Sequence, residues 1–137
     1  MRHPGSLAPL AAALLLLLPV AACSKDAPTG PTRGALSLGL TTPNADDGAV
    51  LLAIDGGPVD SVTAVGAYRV YGGAAGAPAG TPLRVIVRGT LAAGPVARVW
   101  VPDVSAVGAY RVTVEQAAAR TTYGQRSVSG YAGTVTR

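Results

Sequence analysis

Residues 34–55, GALSLGLTTPNADDGAVLLAID, decide the fold class of this chain. Leu36, Leu38 and Leu40 alternate with small residues, and this two-residue period predicts a strand with one buried face. The letters PNADDG that follow are the residue types of a tight turn. AVLLAID (49–55) is a continuous apolar run, which predicts a central strand buried on both faces. The stretch therefore predicts two strands joined by a turn.

The rest of the chain continues with short apolar segments separated by Gly, Pro, Asn and Asp, a pattern typical of all-β domains. These further predicted strands are AYRVY (67–71), PLRVIVRG (82–89), GPVARVWVP (94–102), AYRVTVEQ (109–116) and GYAGTVTR (130–137). Only VEQAAAR has a helical composition, and it is too short to form an isolated helix. About seven or eight short strands in one small domain predict a single antiparallel β-sandwich over residues 34–137.

The heptapeptide AVGAYRV occurs twice in this domain, at residues 64–70 and 106–112. An aspartate precedes each copy, Asp60 in the first and Asp103 in the second. Each carboxylate is expected to accept hydrogen bonds from free backbone N–H groups at the start of a single helical turn. Two copies are too few for a solenoid, which needs about three or more, so we expect two related halves of one sandwich.

Within each copy of the repeat, the glycine and the arginine have different expected roles. Gly66 and Gly108 are expected to supply the positive φ that ends the turn. Tyr-Arg-Val then resumes an extended path, with Arg69 or Arg111 on the face opposite to its two neighbours. Every position thus has a turn or packing role, which favours a scaffold over a doubled binding site. If the motif meets a partner, these two arginines are the candidates.

Composition excludes several classes of active site. The only histidine is His3, the only cysteine is Cys23 and the only lysine is Lys25, and all three precede the predicted sandwich. Ser-His-Asp and Cys-His nucleophilic systems lack their base, zinc sites of the Cys/His type lack their ligands, and no internal disulfide can form. Carboxylates, hydroxyls and arginines remain, so we expect no enzymatic activity and no cofactor.

Arginines are the most informative polar residues of the domain, in a chain with 11 basic and 7 acidic residues. Strand alternation places Arg84 and Arg88 on the face of Ile86, and Arg98 on the face of Trp100. If the strands are neighbours, one sheet face presents Arg69, Tyr71, Arg84, Arg88, Arg98, Trp100 and Arg111. Guanidinium forks bind carboxylates and phosphates, and aromatic rings stack on sugars or guanidinium planes. Such a face would bind a glycan or another anionic polymer.

The competing interpretation of these arginines is an ordinary solvated sheet face, in which the arginine stems cover apolar surface. We favour this interpretation because the excess of positive charge is small and alternation alone does not show that strands are neighbours. Trp100 is then a packing residue rather than a ligand platform. No nucleic-acid recognition motif is present.

A second candidate site lies in TTPNADDG, where Asn44, Asp46 and Asp47 could coordinate calcium through oxygen atoms. The segment has too few ligands for a calcium loop, and the same residue types are those that a hairpin turn requires. The two adjacent carboxylates could also act as acid and base in glycoside hydrolysis, but they do not span the roughly 5–10 Å that this chemistry uses. We favour the turn over the metal site and over the hydrolase.

The N-terminal segment MRHPGSLAPLAAALLLLLPVAAC (1–23) has a basic start, an apolar run and small residues before a cysteine, the order of a secretory signal peptide. A transmembrane helix needs about 20 apolar residues, and Pro9 and Pro19 bracket a shorter run. Val20-Ala21-Ala22-Cys23 resembles the lipobox of bacterial lipoproteins. The resemblance implies that Cys23 becomes the first mature residue and carries lipid; the alternative is an ordinary secretory signal with an incidental cysteine.

This resemblance divides the chain into a signal peptide (1–22), a flexible tether rich in Pro and Gly (23–33) and the sandwich (34–137). Two or more acyl chains hold a protein stably on a bilayer, whereas one does so only marginally. In Gram-negative lipoproteins an Asp after the cysteine favours retention in the inner membrane. Since Ser24 occupies that place, the resemblance implies an outer-membrane destination if the cell is Gram-negative.

The predicted domain is similar to cohesin-type and immunoglobulin-like sandwiches, and to small bacterial lipoproteins that share TTPN-DDGA and ARVWVPD-like segments. These resemblances bring no activity with them. The sequence predicts a membrane-anchored envelope lipoprotein that acts as a non-catalytic binding or structural module, with an envelope protein or polysaccharide as its partner. Binding of a glycan or anionic polymer through the Arg/aromatic face is the first alternative, and a carboxylate-based hydrolase is the second.

Overall fold

The computed structural model describes residues 30–73 and 80–137. The predicted signal peptide, its lipidation residue Cys23 and most of the tether lie outside the described residues. The strands of the described part are β1 (Gly34–Thr41), β2 (Asp47–Asp55), β3 (Ser61–Ala64), β4 (Arg69–Gly72), β5 (Leu83–Leu91), β6 (Gly94–Val101), β7 (Arg111–Ala119), β8 (Gln125–Arg126) and β9 (Ala132–Thr136). A 3-10 helix, Val104–Ala109, lies between β6 and β7.

The strands form two antiparallel sheets that pack face to face. The four-stranded sheet has the order β3-β6-β1-β9, and the five-stranded sheet has the order β4-β5-β2-β7-β8. The predicted all-β sandwich is confirmed, and all of the segment VEQAAAR except its last residue, Arg120, is part of β7 rather than a helix. The seven segments predicted as strands do not include β3 and β8, because these strands have only four and two residues, too few for a clear alternation.

Alternate residues of both sheets meet in one core. Leu36, Leu38 and Leu40 point inward from β1, as their period predicts. The opposing sheet contributes Val50, Leu52, Ile54, Val85, Val87 and Leu91. Burial of each such side chain contributes about 1.5–3 kcal/mol, so this double layer supplies most of the driving force for folding.

Strand β2 is central in the five-stranded sheet, between β5 and β7, as its apolar run predicts. Its inner face is fully buried, but on its outer face Ala49 and Leu51 are only half-buried. The expectation that both faces are buried is therefore wrong on the outer face at Ala49 and Leu51, although Ala53 on that face is buried. The described residues form no third layer over it, and β2 contributes an apolar stripe to the molecular surface.

Both copies of AVGAYRV connect one sheet to the other. The first copy leads from β3 in the four-stranded sheet to β4 in the five-stranded sheet, and the second leads from β6 to β7. In each copy the turn closes through the tyrosine, since Tyr68 N–H donates to Val65 O at 3.3 Å and Tyr110 N–H donates to Val107 O at 3.2 Å. The repeat is thus a crossover used twice.

Only one of the two aspartates that precede the repeat acts as the predicted cap. Asp103 accepts hydrogen bonds from Ser105 N–H at 2.9 Å and from Thr32 N–H at 3.2 Å, as expected for a cap. Asp60 instead pairs with Arg33 at 3.0 Å, because its own segment continues as a strand without a helical turn.

The two glycines of the repeat also differ from each other. Gly66 has a φ of 61°, as predicted. Gly108 has no positive φ, because it lies inside the 3-10 helix. The two copies therefore have the same connectivity but not the same turn.

The sandwich has two distinct ends. Residues 30–33 join it beside the 3-10 helix, where Val104 N–H donates to Thr32 O at 2.8 Å; we call this the tether end. The opposite end, which we call the far end, holds the β1–β2 loop, the β5–β6 turn and the β7–β8 turn, because Asp47 pairs with both Leu91 and Ala119. None of the helices within residues 30–73 and 80–137 has the length and apolar character needed to cross a bilayer.

Candidate binding site

The seven predicted face residues lie on two different surfaces. Arg69, Tyr71, Arg84, Arg88 and Arg111 belong to β4, β5 and β7 of the five-stranded sheet. Alternation within each strand is as predicted, since the residues on either side of these are buried or half-buried, with the exception of the exposed Gly72 at the end of β4.

Arg98 and Trp100 lie on the outer face of the four-stranded sheet, on the other side of the sandwich. The separation arises because the chain crosses between the sheets in the two residues that join β5 to β6. The structure therefore does not bring Arg98 and Trp100 together with the other five.

On the outer face of the five-stranded sheet, two arginines stand directly opposite each other. Arg69 of β4 pairs in register with Arg88 of β5. Like charges at directly opposed positions destabilise an antiparallel pair. Among residues 30–73 and 80–137, no carboxylate oxygen lies within 4 Å of either guanidinium. The pair is thus a concentrated positive charge whose counter-ion is not part of the described chain.

Beside this arginine pair runs an apolar row. Tyr71 of β4 is opposite Ile86 of β5, and Ile86 is in turn opposite Leu51 of β2. Tyr71 is 46% exposed and Ile86 is 42% exposed, both high for large apolar side chains. An aromatic and aliphatic row next to two unpaired guanidinium groups combines the contact residues that dominate binding interfaces.

The other two arginines of this sheet have partners within the protein. Arg84 donates two hydrogen bonds to the Glu115 carboxylate, at 2.7 Å and 2.9 Å. This bidentate pair lowers the pKa of Glu115 and raises the pKa of Arg84. Arg111 donates to the backbone oxygens of Gly108 and Tyr110 at 2.8 Å and 3.0 Å. Both arginines therefore serve the fold.

A groove of about 370 Å³ lies at the far end of the same face. Its lining residues are Gly48, Ala67, Tyr68, Arg88, Gly89, Thr90, Arg120 and Tyr123. Arg120 follows β7 and makes one long hydrogen bond, from its Nη1 to Thr90 Oγ1 at 3.4 Å. From the sequence alone, Tyr123 is expected to pack at a strand end and Arg120 has no expected role, because the ARTTYGQR segment gives no periodic signal that would place it over β2.

Tyr123 is the residue that joins this groove to a second, shallower one of about 250 Å³ along Leu51, Ile86 and Gln116. It is 67% exposed, so it does not pack at a strand end. Neither groove has a carboxylate among its lining residues. The first groove is cationic and aromatic, whereas the second is mostly apolar and has no arginine among its lining residues.

The candidate calcium residues belong to a polar cluster of the fold, in which Asp47 is buried and Asp46 is exposed. Asp47 is fully buried and accepts a hydrogen bond from the Tyr131 hydroxyl at 2.7 Å and another from Thr42 Oγ1. Arg126 Nε lies 3.2 Å from Asp47 Oδ1, and its Nη2 donates to Asp46 at 2.5 Å. Within the described residues no three His, Cys, Asp or Glu side chains are placed to hold a metal ion.

Asn44 and Tyr131 complete this cluster. Asn44 Nδ2 donates to the Tyr131 hydroxyl at 2.8 Å, so the β1–β2 loop is tied to the segment before β9. Burial, together with the hydrogen bond to Asp47, raises the pKa of Tyr131. Since Asp47 is buried and bonded on both oxygens, the pair Asp46 and Asp47 does not offer an acid and a base to a substrate.

Comparison of the chain with protein-family models, with curated proteins and with solved structures returns no match.

Proposed function

We propose that this protein is a lipid-anchored, non-catalytic binding module of the cell envelope, and that it binds an anionic polymer through the outer face of its five-stranded sheet. The observation that carries the proposal is the opposed pair Arg69 and Arg88, which has no carboxylate partner in the described chain and borders the exposed Tyr71. A fold gains nothing from two opposed like charges, so their counter-ion is expected to come from a ligand.

An anionic polymer fits this face better than a neutral one. Guanidinium groups form charge-assisted and often bidentate hydrogen bonds with carboxylates and phosphates. The Tyr71 ring beside Arg69 offers a flat apolar surface for the C–H face of a sugar. If this face were only solvated, the exposure of the two arginines would be explained. Their placement at directly paired positions of neighbouring strands would not be explained.

The lipid anchor is supported by the sequence alone. Val20-Ala21-Ala22-Cys23 follows an apolar run in the order of a lipoprotein signal. Residues 30–33 join the sandwich at the tether end, whereas Arg88 and Arg120 line a groove at the far end. If Cys23 is lipid-anchored, the tether end would face the membrane that holds the protein, and the cationic groove at the far end would point away from it.

A carboxylate-based hydrolase is not proposed. Such an enzyme needs an acid and a base facing one cavity. The two grooves of the five-stranded sheet have no carboxylate in their lining, and Glu115, which lies on the same outer face, is held by Arg84.

The proposal is tested by titrating the purified full chain, in detergent micelles, with polygalacturonate and with neutral dextran. We expect binding to the acidic polymer, weakening as the salt concentration rises because exposed charges are screened within about 10 Å at 0.1 M ionic strength. Equal binding to dextran, or binding that is indifferent to salt, would argue against it.

A further inference from the structure

We infer that the far-end groove is a subsite for one acidic sugar residue, with Tyr123 as its stacking platform and Arg88 and Arg120 as the ligands of its anionic group. This inference rests on the proposed function and deepens it, because it selects one part of the surface and one chemical unit. Three observations support it: the backbone conformation of Tyr123, the two glycines that shape the groove, and the arginines that line the groove.

Tyr123 has an unfavourable backbone conformation. Its φ of 55° is the only positive φ of a non-glycine residue in the described part of the chain. This region is strained for a bulky L-residue. Outliers of this kind cluster at ligand sites, where the surrounding structure holds them.

The packing of Tyr123 offers no compensation for that strain. Its side chain is 67% exposed and makes no hydrogen bond within the described residues. At this turn Ala119 N–H donates to Gly124 O, Tyr123 N–H donates to Ala119 O, and Gly124 N–H donates to Thr122 Oγ1. At Tyr123 itself only backbone atoms take part in these hydrogen bonds. Any residue except proline could make them. The tyrosine ring is therefore present for something outside the chain.

Two glycines form the floor of the groove. A Cβ at Gly48 would lie 2.5 Å from the Arg120 Cα, and a Cβ at Gly89, whose φ is 151°, would lie 2.8 Å from Tyr68 Cδ1. Both positions need glycine because backbone and rings approach so closely there. The close approach brings the Arg120 backbone down against β2 and leaves an open space of about 370 Å³ between Arg88 and Tyr123.

The polar groups of this space select the ligand. Two guanidinium groups and the Thr90 hydroxyl face it, and no carboxylate does. A sugar acid has one anionic group for the arginines, hydroxyls for Thr90, and a C–H face for the exposed Tyr123 ring. An acidic peptide would satisfy the charges but would leave the isolated ring without a flat partner. Arg69, directly opposite Arg88, continues the positive strip towards a neighbouring sugar.

The test compares variants of the full chain by calorimetric titration with a short oligogalacturonate. We expect Tyr123→Asn and Arg120→Gln each to weaken binding by about tenfold or more, and Tyr123→Phe to retain it because the ring remains. The midpoint of thermal unfolding of Tyr123→Asn should stay equal or rise, since asparagine tolerates positive φ better than tyrosine. Arg98→Gln, on the opposite sheet, is the charge-matched control and should bind normally.

The ligand class is tested with three further probes: a phosphorylated oligosaccharide, a neutral galacto-oligosaccharide and poly-L-glutamate. Binding of the phosphorylated sugar with the same dependence on Tyr123 would support the subsite and identify phosphate as its anion. Tyr123-dependent binding of poly-L-glutamate, at the affinity of the oligogalacturonate, would overturn the assignment to a sugar. So would binding of the neutral sugar as tightly as the acidic one.

The inference and the proposed function can fail separately. If Arg69→Gln and Tyr71→Asn weaken binding but Tyr123→Asn and Arg120→Gln do not, the flat part of the face binds the polymer and the subsite is refuted. A lower unfolding midpoint in both Tyr123→Asn and Tyr123→Phe, with unchanged affinity, would show that Tyr123 is structural. If the unaltered protein binds no acidic saccharide, the proposed function itself is wrong.

Discussion

Asp47 shows how one buried residue stabilises a loop that sequence patterns treat as a turn. It is a fully buried carboxylate, and it accepts hydrogen bonds from Tyr131 and Thr42 while Arg126 lies beside it. A buried charge is tolerated only when it is paired and hydrogen-bonded. The segment TTPNADDG correctly predicts the turn, but its partners Arg126 and Tyr131 lie about eighty residues away, at a separation for which no local pattern gives a signal.

Removing the Tyr131 hydroxyl should therefore destabilise the fold. Tyr131→Phe leaves Asp47 Oδ1 without its phenolic donor and Asn44 Nδ2 without its acceptor. Loss of one partner of a buried polar group costs about 1–3 kcal/mol, so we expect the free energy of unfolding to fall by about 2 kcal/mol in urea denaturation. Tyr71→Phe, on the exposed face, is the matched control and should change it by less than about 0.5 kcal/mol. Equal effects of the two changes would contradict this role.

The same phenol predicts a pH dependence. Because burial raises the pKa of Tyr131 above its ordinary value of 10.0, the folded state holds this proton more tightly than the unfolded state does. This contribution to stability is complete below about pH 10 and is lost as the pH rises through the folded-state pKa. The free energy of unfolding should decline above about pH 10, and the decline should be smaller in Tyr131→Phe. A larger decline in the variant would show that the pKa is not raised.

At the scale of elements, the duplicated heptapeptide defines the architecture. Both copies carry the chain from the four-stranded to the five-stranded sheet, and the sequence predicts their turn-and-strand order correctly. It cannot predict that Asp103 caps a 3-10 helix while Asp60 pairs with Arg33. That difference depends on the neighbours of each copy. Residues 30–33 contact both aspartates, but Thr32 N–H donates to Asp103, whereas Arg33 pairs with Asp60.

The two glycines of the repeat should differ in their tolerance of alanine. An added Cβ would have no atom within 4 Å at either Gly66 or Gly108, so steric clashes do not distinguish the two positions. Gly66 has a φ of 61°, and an alanine there should cost about 1–2 kcal/mol. Gly108→Ala should be neutral or stabilising by about 0.4–1 kcal/mol, because it restricts only the unfolded chain. Thermal unfolding of the two variants measures the difference; equal midpoints would refute the distinction.

At the scale of the whole molecule, the layer structure decides which arginines can act together. Alternation correctly predicts that Arg84, Arg88, Arg98 and Trp100 face outward, because the period of a strand is a local property. It cannot predict that consecutive strands β5 and β6 belong to different sheets. Strand neighbours depend on long-range packing, so the predicted single face is divided between two opposite surfaces.

The proposed anchor is a whole-molecule property as well. If Cys23 carries lipid, Cys23→Ala should move the protein from the membrane fraction to the soluble fraction, because acyl chains supply the binding to the bilayer. The domain itself should remain folded, since its strands begin at Gly34. Immunoblotting of fractionated cells measures the distribution, with Ser24→Ala as the neighbouring control. Unchanged membrane association of Cys23→Ala would refute the lipobox interpretation.

We propose that the five-stranded face, and not the four-stranded one, binds an anionic polymer. The most direct measurement is the dissociation constant for polygalacturonate of Arg69→Gln beside that of Arg98→Gln, since both arginines are exposed and neither has a carboxylate within 4 Å in the described chain. We predict that Arg69→Gln weakens binding by about tenfold, equivalent to about 1.4 kcal/mol, while Arg98→Gln binds as the unaltered protein does. Equal losses in the two variants, or a loss confined to Arg98→Gln, would contradict the account.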